Sequence, residues 1–212
     1  MALFPILVEW QDMPCLIAGG GGLARHKAEL LCAQGADVTV VAPDVCPEIL
    51  ALPVTVCRRA VTAEDVSGKA LVIDATGDGG AEAMLAEACR KSRIPFNSAC
   101  RGEDTTAVFP AVYRSGRTTV AVSTLGASPA ASTWLRDRLA RQVPAAMDDI
   151  LDGMAALRPL SRECFGDQPT RRRFLHRCLN AMLEKERPLA PEEIEELRQG
   201  IEIEKQLEES KS

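Results

Sequence analysis

The sequence predicts an α/β protein: a parallel sheet covered by helices, then a small α+β region and a helical C-terminal part. Three observations predict it. A short apolar run ends in consecutive glycines and leads into a helix-patterned stretch, so strand, turn and helix follow one another. β-branched apolar runs then alternate with helical stretches through residue 97. From residue 105 onward the order changes to two adjacent strands, followed by helices alone.

Each element has its own reason. Residues 1–10 carry neither the basic start nor the cleavage site of a signal peptide, and they read as a first strand or a lead-in segment. Pro14-Cys15-Leu16-Ile17-Ala18 is a short apolar strand that runs into Gly19 to Gly22. Leu23, Ala24, Ala28, Leu30 and Leu31 fall at helical spacing, and Gly35 ends that helix. Val38-Thr39-Val40-Val41-Ala42, bounded by Pro43, is a buried strand and completes a βαβ unit. Residues 54–56 and 70–75 are the next strands. The turn 76–80 leads to a helix over 81–91, and 94–97 opens a further strand. Such alternation gives a parallel sheet with helices on both faces.

Residues 108–113 and 118–123 form two strands joined by Arg114-Ser115-Gly116-Arg117, a hairpin. Ser128 is placed to cap the next helix, with Pro129 at its first position, over 130–142. Helices follow at 145–157, 170–185 and 191–208, the last very polar.

Composition narrows the function classes. The chain has 212 residues, room for one nucleotide-sized α/β domain and a smaller companion. Its net charge is −5 and aromatics are 4%, which argues against nucleic acid as a partner. No apolar run reaches the ~20 residues of a membrane helix, so a membrane is not expected either. The 8 cysteines lie mostly in apolar stretches and form no CxxC pair. They are expected to be reduced thiols in a cytoplasmic protein, with no metal site.

Gly19-Gly20-Gly21-Gly22-Leu23-Ala24 satisfies GxGxxA between a strand and a helix, the context that gives the motif its meaning. Gly19 permits the tight turn, and Gly21 lets backbone approach a pyrophosphate. Ala24 allows close helix–strand packing, and the helix start at Gly22 and Leu23 favours the anion. A Rossmann-type domain binding a dinucleotide is therefore expected over residues 1–104. Pro43-Asp44 ends the second strand, where a ribose-binding acid is usual; Asp44 either takes that role or caps the following turn. No Arg or Lys in this stretch awaits a 2′-phosphate, which favours NAD as the cofactor. Thr76, at the end of the fourth strand, is placed on the cofactor side.

The stretch Cys15 to Ala24, with Lys27 after it and Phe4-Pro5-Ile6-Leu7 before it, resembles the opening of the precorrin-2 dehydrogenase/sirohydrochlorin ferrochelatase family (siroheme synthase N-terminal type). Val38 to Pro43 and Ile73-Asp74-Ala75-Thr76 fit the second and fourth strands of that family. Phe109-Pro110 is similar to its FPA-type strand, and Val120 to Pro129 to its AVSTGGxSP-type turn. The likeness covers residues 1–145. It implies a homodimer in which residues 105–144 dimerise and meet the substrate, with residues 145–212 helical. It further implies NAD-dependent dehydrogenation of precorrin-2 to sirohydrochlorin in siroheme synthesis, some members also inserting ferrous iron.

The chain departs from the family in two places. Where members carry an Asp after the fifth strand, a general-base position, this chain has Cys100. Cys100 is either a substitute at that position or a small space-filler, and Asp104 nearby could serve only if the loop were rearranged. Leu125 stands where a glycine is usual. Hydride transfer depends on positioning, whereas metal insertion needs a base for two pyrrole protons. A dehydrogenase without efficient metal insertion is therefore expected. The alternatives are a bifunctional dehydrogenase–chelatase and a non-catalytic NAD-sensing module, for which the 123–129 turn has no use.

A polycarboxylate tetrapyrrole calls for cations and hydroxyls. Arg101 and Arg114, with Ser123, Thr124 and Ser128, are the candidates, and Arg117, Arg136 and Arg138 lie nearby in sequence. Each Arg also reads as a solvated surface residue, and Ser128 as a helix cap. His26 reads as packing or exposed. Arg171-Arg172-Arg173-Phe174-Leu175-His176-Arg177 reads as a solvated helix face, with substrate contact as the lesser alternative.

Overall fold

The computed structural model describes residues 3–99 and 104–210. The chain forms two compact units, Met1–Phe109 with Leu125–Ala127, and Pro110–Thr124 with Ser128–Ser212.

The first unit holds a five-stranded sheet in which every pairing is parallel. Its strands are β1 (Pro14–Ala18), β2 (Asp37–Val41), β3 (Val54–Cys57), β4 (Leu71–Asp74) and β5 (Phe96–Ser98), in the order β3-β2-β1-β4-β5. Alternate residues serve opposite faces. Cys15, Ile17, Val38, Val40 and Ile73 pack with Ala24, Ala28 and Leu31 of α1 (Gly22–Cys32). Leu16, Ala18, Val41, Val72 and Phe96 pack with Leu85, Ala86 and Cys89 of α3 (Gly79–Ser92). Burial on both faces is why these strands read as unbroken apolar runs rather than as alternation. Burial also pushes the Cys15 and Cys89 thiols up to about 11.

Two short elements escaped periodicity because each is a single turn: α2 (Pro47–Leu50) and a 3-10 turn over Ala63–Val66 closed by the Thr62/Asp65 capping box. Helix α3 begins at Gly79, before the expected residue 81, because Asp78 accepts from the Gly80 and Ala81 N–H groups at 2.7 and 3.0 Å. Residues 3–10 form no regular element, so they are a lead-in rather than a strand.

The second unit opens with the hairpin β6 (Ala111–Ser115) and β7 (Thr118–Val122), antiparallel with Ala111 opposite Val122. Pro110 has no N–H for a ladder, so β6 starts after it, and the turn is tighter than expected, at Gly116-Arg117. Gly116 has φ +52°, and a Cβ there would meet the Asp148 carboxylate. Helix α4 (Pro129–Ala140) packs on both strands. Helices α5 (Met147–Cys164), α6 (Gln168–Lys185) and α7 (Pro191–Glu209) enclose Ile150, Leu157, Phe174, Cys178, Met182 and Ile201. Helix α5 runs past the expected end at residue 157 and through Pro159. The lost backbone bond is offset by buried Leu157 and Ser161, the latter donating its hydroxyl to the Arg158 carbonyl at 2.8 Å.

Candidate functional site

The sheet order reverses at β1: β2 and β3 lie to one side of it, β4 and β5 to the other. The carboxyl ends of β1 and β4 therefore form a topological switch point, where open α/β sheets bind ligands. The four glycines sit at this edge for different reasons. Gly19 has φ +113°, and a Cβ there would lie 2.4 Å from the Ala75 carbonyl oxygen. At Gly20 a Cβ would lie 1.9 Å from the Asp44 carbonyl oxygen, and the Cys46 N–H donates to the Gly20 carbonyl at 2.8 Å. These two glycines let the loops after β4 and β2 close on the turn. At Gly21 and Gly22 an added Cβ would meet nothing within 4 Å.

That open side lies at the start of α1. Gly21 is its N-cap residue and supplies no side-chain cap, and the first turn holds no acidic side chain. Its first N–H groups have no intrahelical partners, so backbone donors and the helix dipole face an uncrowded space. This arrangement fits a pyrophosphate. Ala24 is fully buried and sets the close approach of α1 to the sheet, whereas Leu23 is 40% exposed. Pro43 and Asp44 are exposed, with the Asp44 backbone against Gly20. Thr76 is exposed at the end of β4. The structure thus gathers all the sequence-predicted cofactor residues along one edge of the first unit.

Sequence reasoning gave Asp74 no role of its own. It is fully buried at the end of β4, yet it orders this edge. Its Oδ1 accepts from the Thr76 hydroxyl at 2.7 Å and the Thr76 N–H at 3.1 Å, and Thr76 Oγ1 in turn accepts from the Asp78 N–H at 3.1 Å. Its Oδ2 has no hydrogen-bond partner among the described residues. Burial pushes the Asp74 carboxyl above its ordinary range; the Thr76 bonds oppose this, and the nearby Glu82 and Asp78 charges add to it. The signal was present in the sequence: an acidic residue inside an apolar strand covered on both faces. Lys27 and Phe109, both on the quoted motifs, are in contact, the ammonium 4.0 Å from the ring centroid.

The remaining predicted residues belong to the second unit or fall outside the description. Arg114, in β6, and Ser123, after β7, are exposed. Thr124 and Ser128 tie the intervening turn. Thr124 Oγ1 accepts from the Ser128 N–H at 3.1 Å and lies 2.9 Å from the Ser132 hydroxyl. Ser128 caps α4 by accepting from the Ala131 N–H at 3.1 Å. Arg117 pairs with Asp152 at 2.8 Å, Arg136 with Asp137 at 2.6 Å, and Arg138 stacks over Trp134. Cys100 and Arg101 lie outside the described residues. Asp104 is exposed, 3.5 Å from Arg90.

Together, this strand order and glycine turn define a dinucleotide-binding α/β domain. A family described as NAD(P)-binding matches residues 6–111. The chain is 34% identical over 183 residues to a siroheme synthase of Thioalkalivibrio sulfidiphilus and, at the same identity and length, to one of Methylococcus capsulatus. These alignments cover 84% of this chain but 37% and 39% of those proteins, so the chain spans less than half the length of the relatives it matches. It shares its fold with the solved structure of SirC, precorrin-2 dehydrogenase, at a TM-score of 0.64 and 24% identity, covering 94% of this chain and 99% of that one. The chain belongs to this NAD(P)-binding family. Its cofactor is a nicotinamide adenine dinucleotide.

Proposed function

We propose that this chain is a cytoplasmic, homodimeric, NAD-dependent dehydrogenase that converts precorrin-2 to sirohydrochlorin and inserts metal poorly. The observation that carries the reading is the uncrowded glycine cradle at the switch point, in a chain whose relatives are siroheme synthases. When bound, NAD supplies the hydride acceptor. The chain's own residues do the rest. Gly21, Gly22 and the start of α1 hold the pyrophosphate, while Asp44 is placed for a ribose. Thr76, fixed by Asp74, would stand on the cofactor side. NAD is favoured over NADP by the acidic end of the β2 loop.

The substrate gives up a hydride and a proton, so two electrons pass to the cofactor and the proton to solvent. Residues 105–144 meet the substrate, and Arg101, Arg114 and Ser123 are assigned to its carboxylates. Thr124 and Ser128, whose hydroxyls are engaged in the turn, shape that turn. The exposed Val112, Trp134 and Leu139 support a self-association surface in this region. With Cys100 where the family has an Asp, that position supplies no carboxylate to draw pyrrole protons.

The test uses the purified chain with precorrin-2 under anaerobic, metal-free conditions. Turnover is expected with NAD and is expected to fall about tenfold or more with NADP. Ferrous iron added afterwards should enter sirohydrochlorin no faster than it does without protein, and Cys100→Asp should accelerate that insertion. Rapid insertion by the unaltered chain favours the bifunctional alternative. NAD binding without turnover favours the sensing module.

A further inference from the structure

The groove between α5 and α6 has no part in the cofactor edge, and its lining is unlike the rest of the second unit. It is a shallow groove, open to solvent, of about 580 Å³. Met154, Leu175 and Leu179 give it apolar surface, and Arg158, Arg162 and Arg172, with Arg171 beside them, its charge; among the described residues no acidic side chain lines it. Several other arginines in this unit meet carboxylates: Arg117 meets Asp152, Arg177 meets Glu204, Arg187 meets Glu193 and Arg198 meets Glu195. Arg158, Arg162 and Arg172 make no ion pair among the described residues, and all three are exposed.

Arg158 and Arg162 are also four residues apart on one helix, a like-charge spacing that costs stability when nothing neutralises it. In a chain of net charge −5, such a concentration of unneutralised guanidinium groups is a local field suited to an anion. Guanidinium forks pair with carboxylates two bonds at a time and also stack on flat π-systems. Apolar surface beside them suits a ligand with an apolar body, and the volume lies in the range of about 300–1,000 Å³ usual for small-molecule sites.

We infer that the α5/α6 groove is a second binding site, on the helical unit, for an apolar macrocycle that carries several carboxylates. The inference rests on the tetrapyrrole reading of the function and deepens it: the helical unit itself holds a molecule of the chain's substrate or product class.

The probe is uroporphyrin, a porphyrin with carboxylates on every ring, titrated by fluorescence into the full chain and into Arg158→Gln/Arg172→Gln. Both positions are exposed, and a thermal melt checks that the variant remains folded. Saturable binding is expected, with one class of sites weakened about tenfold or more in the variant. Tripolyphosphate at equal charge should displace the porphyrin poorly, because it lacks an apolar body. The inference is overturned if the intact chain does not bind the porphyrin, if the variant binds it unchanged, or if tripolyphosphate competes equally well. Porphyrin bound in the groove by a chain that fails to oxidise precorrin-2 would overturn the dehydrogenase reading and leave the groove standing.

Discussion

Two neighbouring glycines are expected to separate folding from cofactor binding. A methyl group at Gly20 would press into the Asp44 carbonyl at 1.9 Å, with backbone on both sides of the contact. Gly20→Ala should therefore cost about 1–3 kcal/mol in a urea melt, the range for overpacking. Gly21→Ala places its methyl in open space. Its melt should change by less than about 1 kcal/mol, while calorimetry should show NAD binding weakened. Equal losses of stability in both variants would contradict the division. The glycine run was legible in the sequence as a cradle, but which glycine touches protein and which faces ligand was not, because spacing does not specify what the β2 and β4 loops bring against each.

Asp74 has a pH signature. Its folded value lies above its ordinary 3.8, so the folded state binds the extra proton. Its effect is absent below 3.8; above it, stability falls as pH rises towards the folded value, where an unfolded carboxylate would already be ionised. Asp74→Asn, which keeps an acceptor for Thr76, should remove that decline. Urea melts at pH 4 and pH 7 should then differ less than in the unaltered chain.

Elements follow the same division between what spacing shows and what packing decides. The strands and α1 were legible because their apolar runs lie between glycine and proline signals. The passage of α5 through Pro159 was not, because the burial of Leu157 in the helical core and of Ser161, bonded to the Arg158 carbonyl, offsets the lost backbone bond. The turn before α4 shows the reverse: the structure accounts for the glycine usual in the family, and nothing in it explains the leucine this chain has there. Leu125 sits at φ +52° and is 57% exposed, a conformation that suits glycine. Leu125→Gly should stabilise the fold by about 1 kcal/mol. Ser128→Ala should destabilise it by about 1 kcal/mol through loss of the cap. A thermal or urea melt of each variant gives the sign directly.

At the scale of the whole molecule, the parallel sheet carries the nucleotide chemistry and the helical unit carries the unpaired arginines. Among the described residues no helix is long and apolar enough to cross a membrane. The sequence showed the order of these parts and the family resemblance on which the proposed function draws. It did not show the α5/α6 groove, because residues four apart on one helix and ten or more apart on the next become one surface only when the helices pack. It did show Ser128 as the cap of α4, but not that the Thr124 hydroxyl is engaged in the same turn, since that role and substrate contact suit the same residue type.

The dehydrogenase reading is tested most directly by stoichiometry. The purified chain is mixed anaerobically with precorrin-2 and NAD, without metal, and both products are followed by absorbance. The expected result is one NADH formed for each sirohydrochlorin, at matching rates. NAD that binds while neither product appears, beside a control enzyme active on the same substrate, would contradict it.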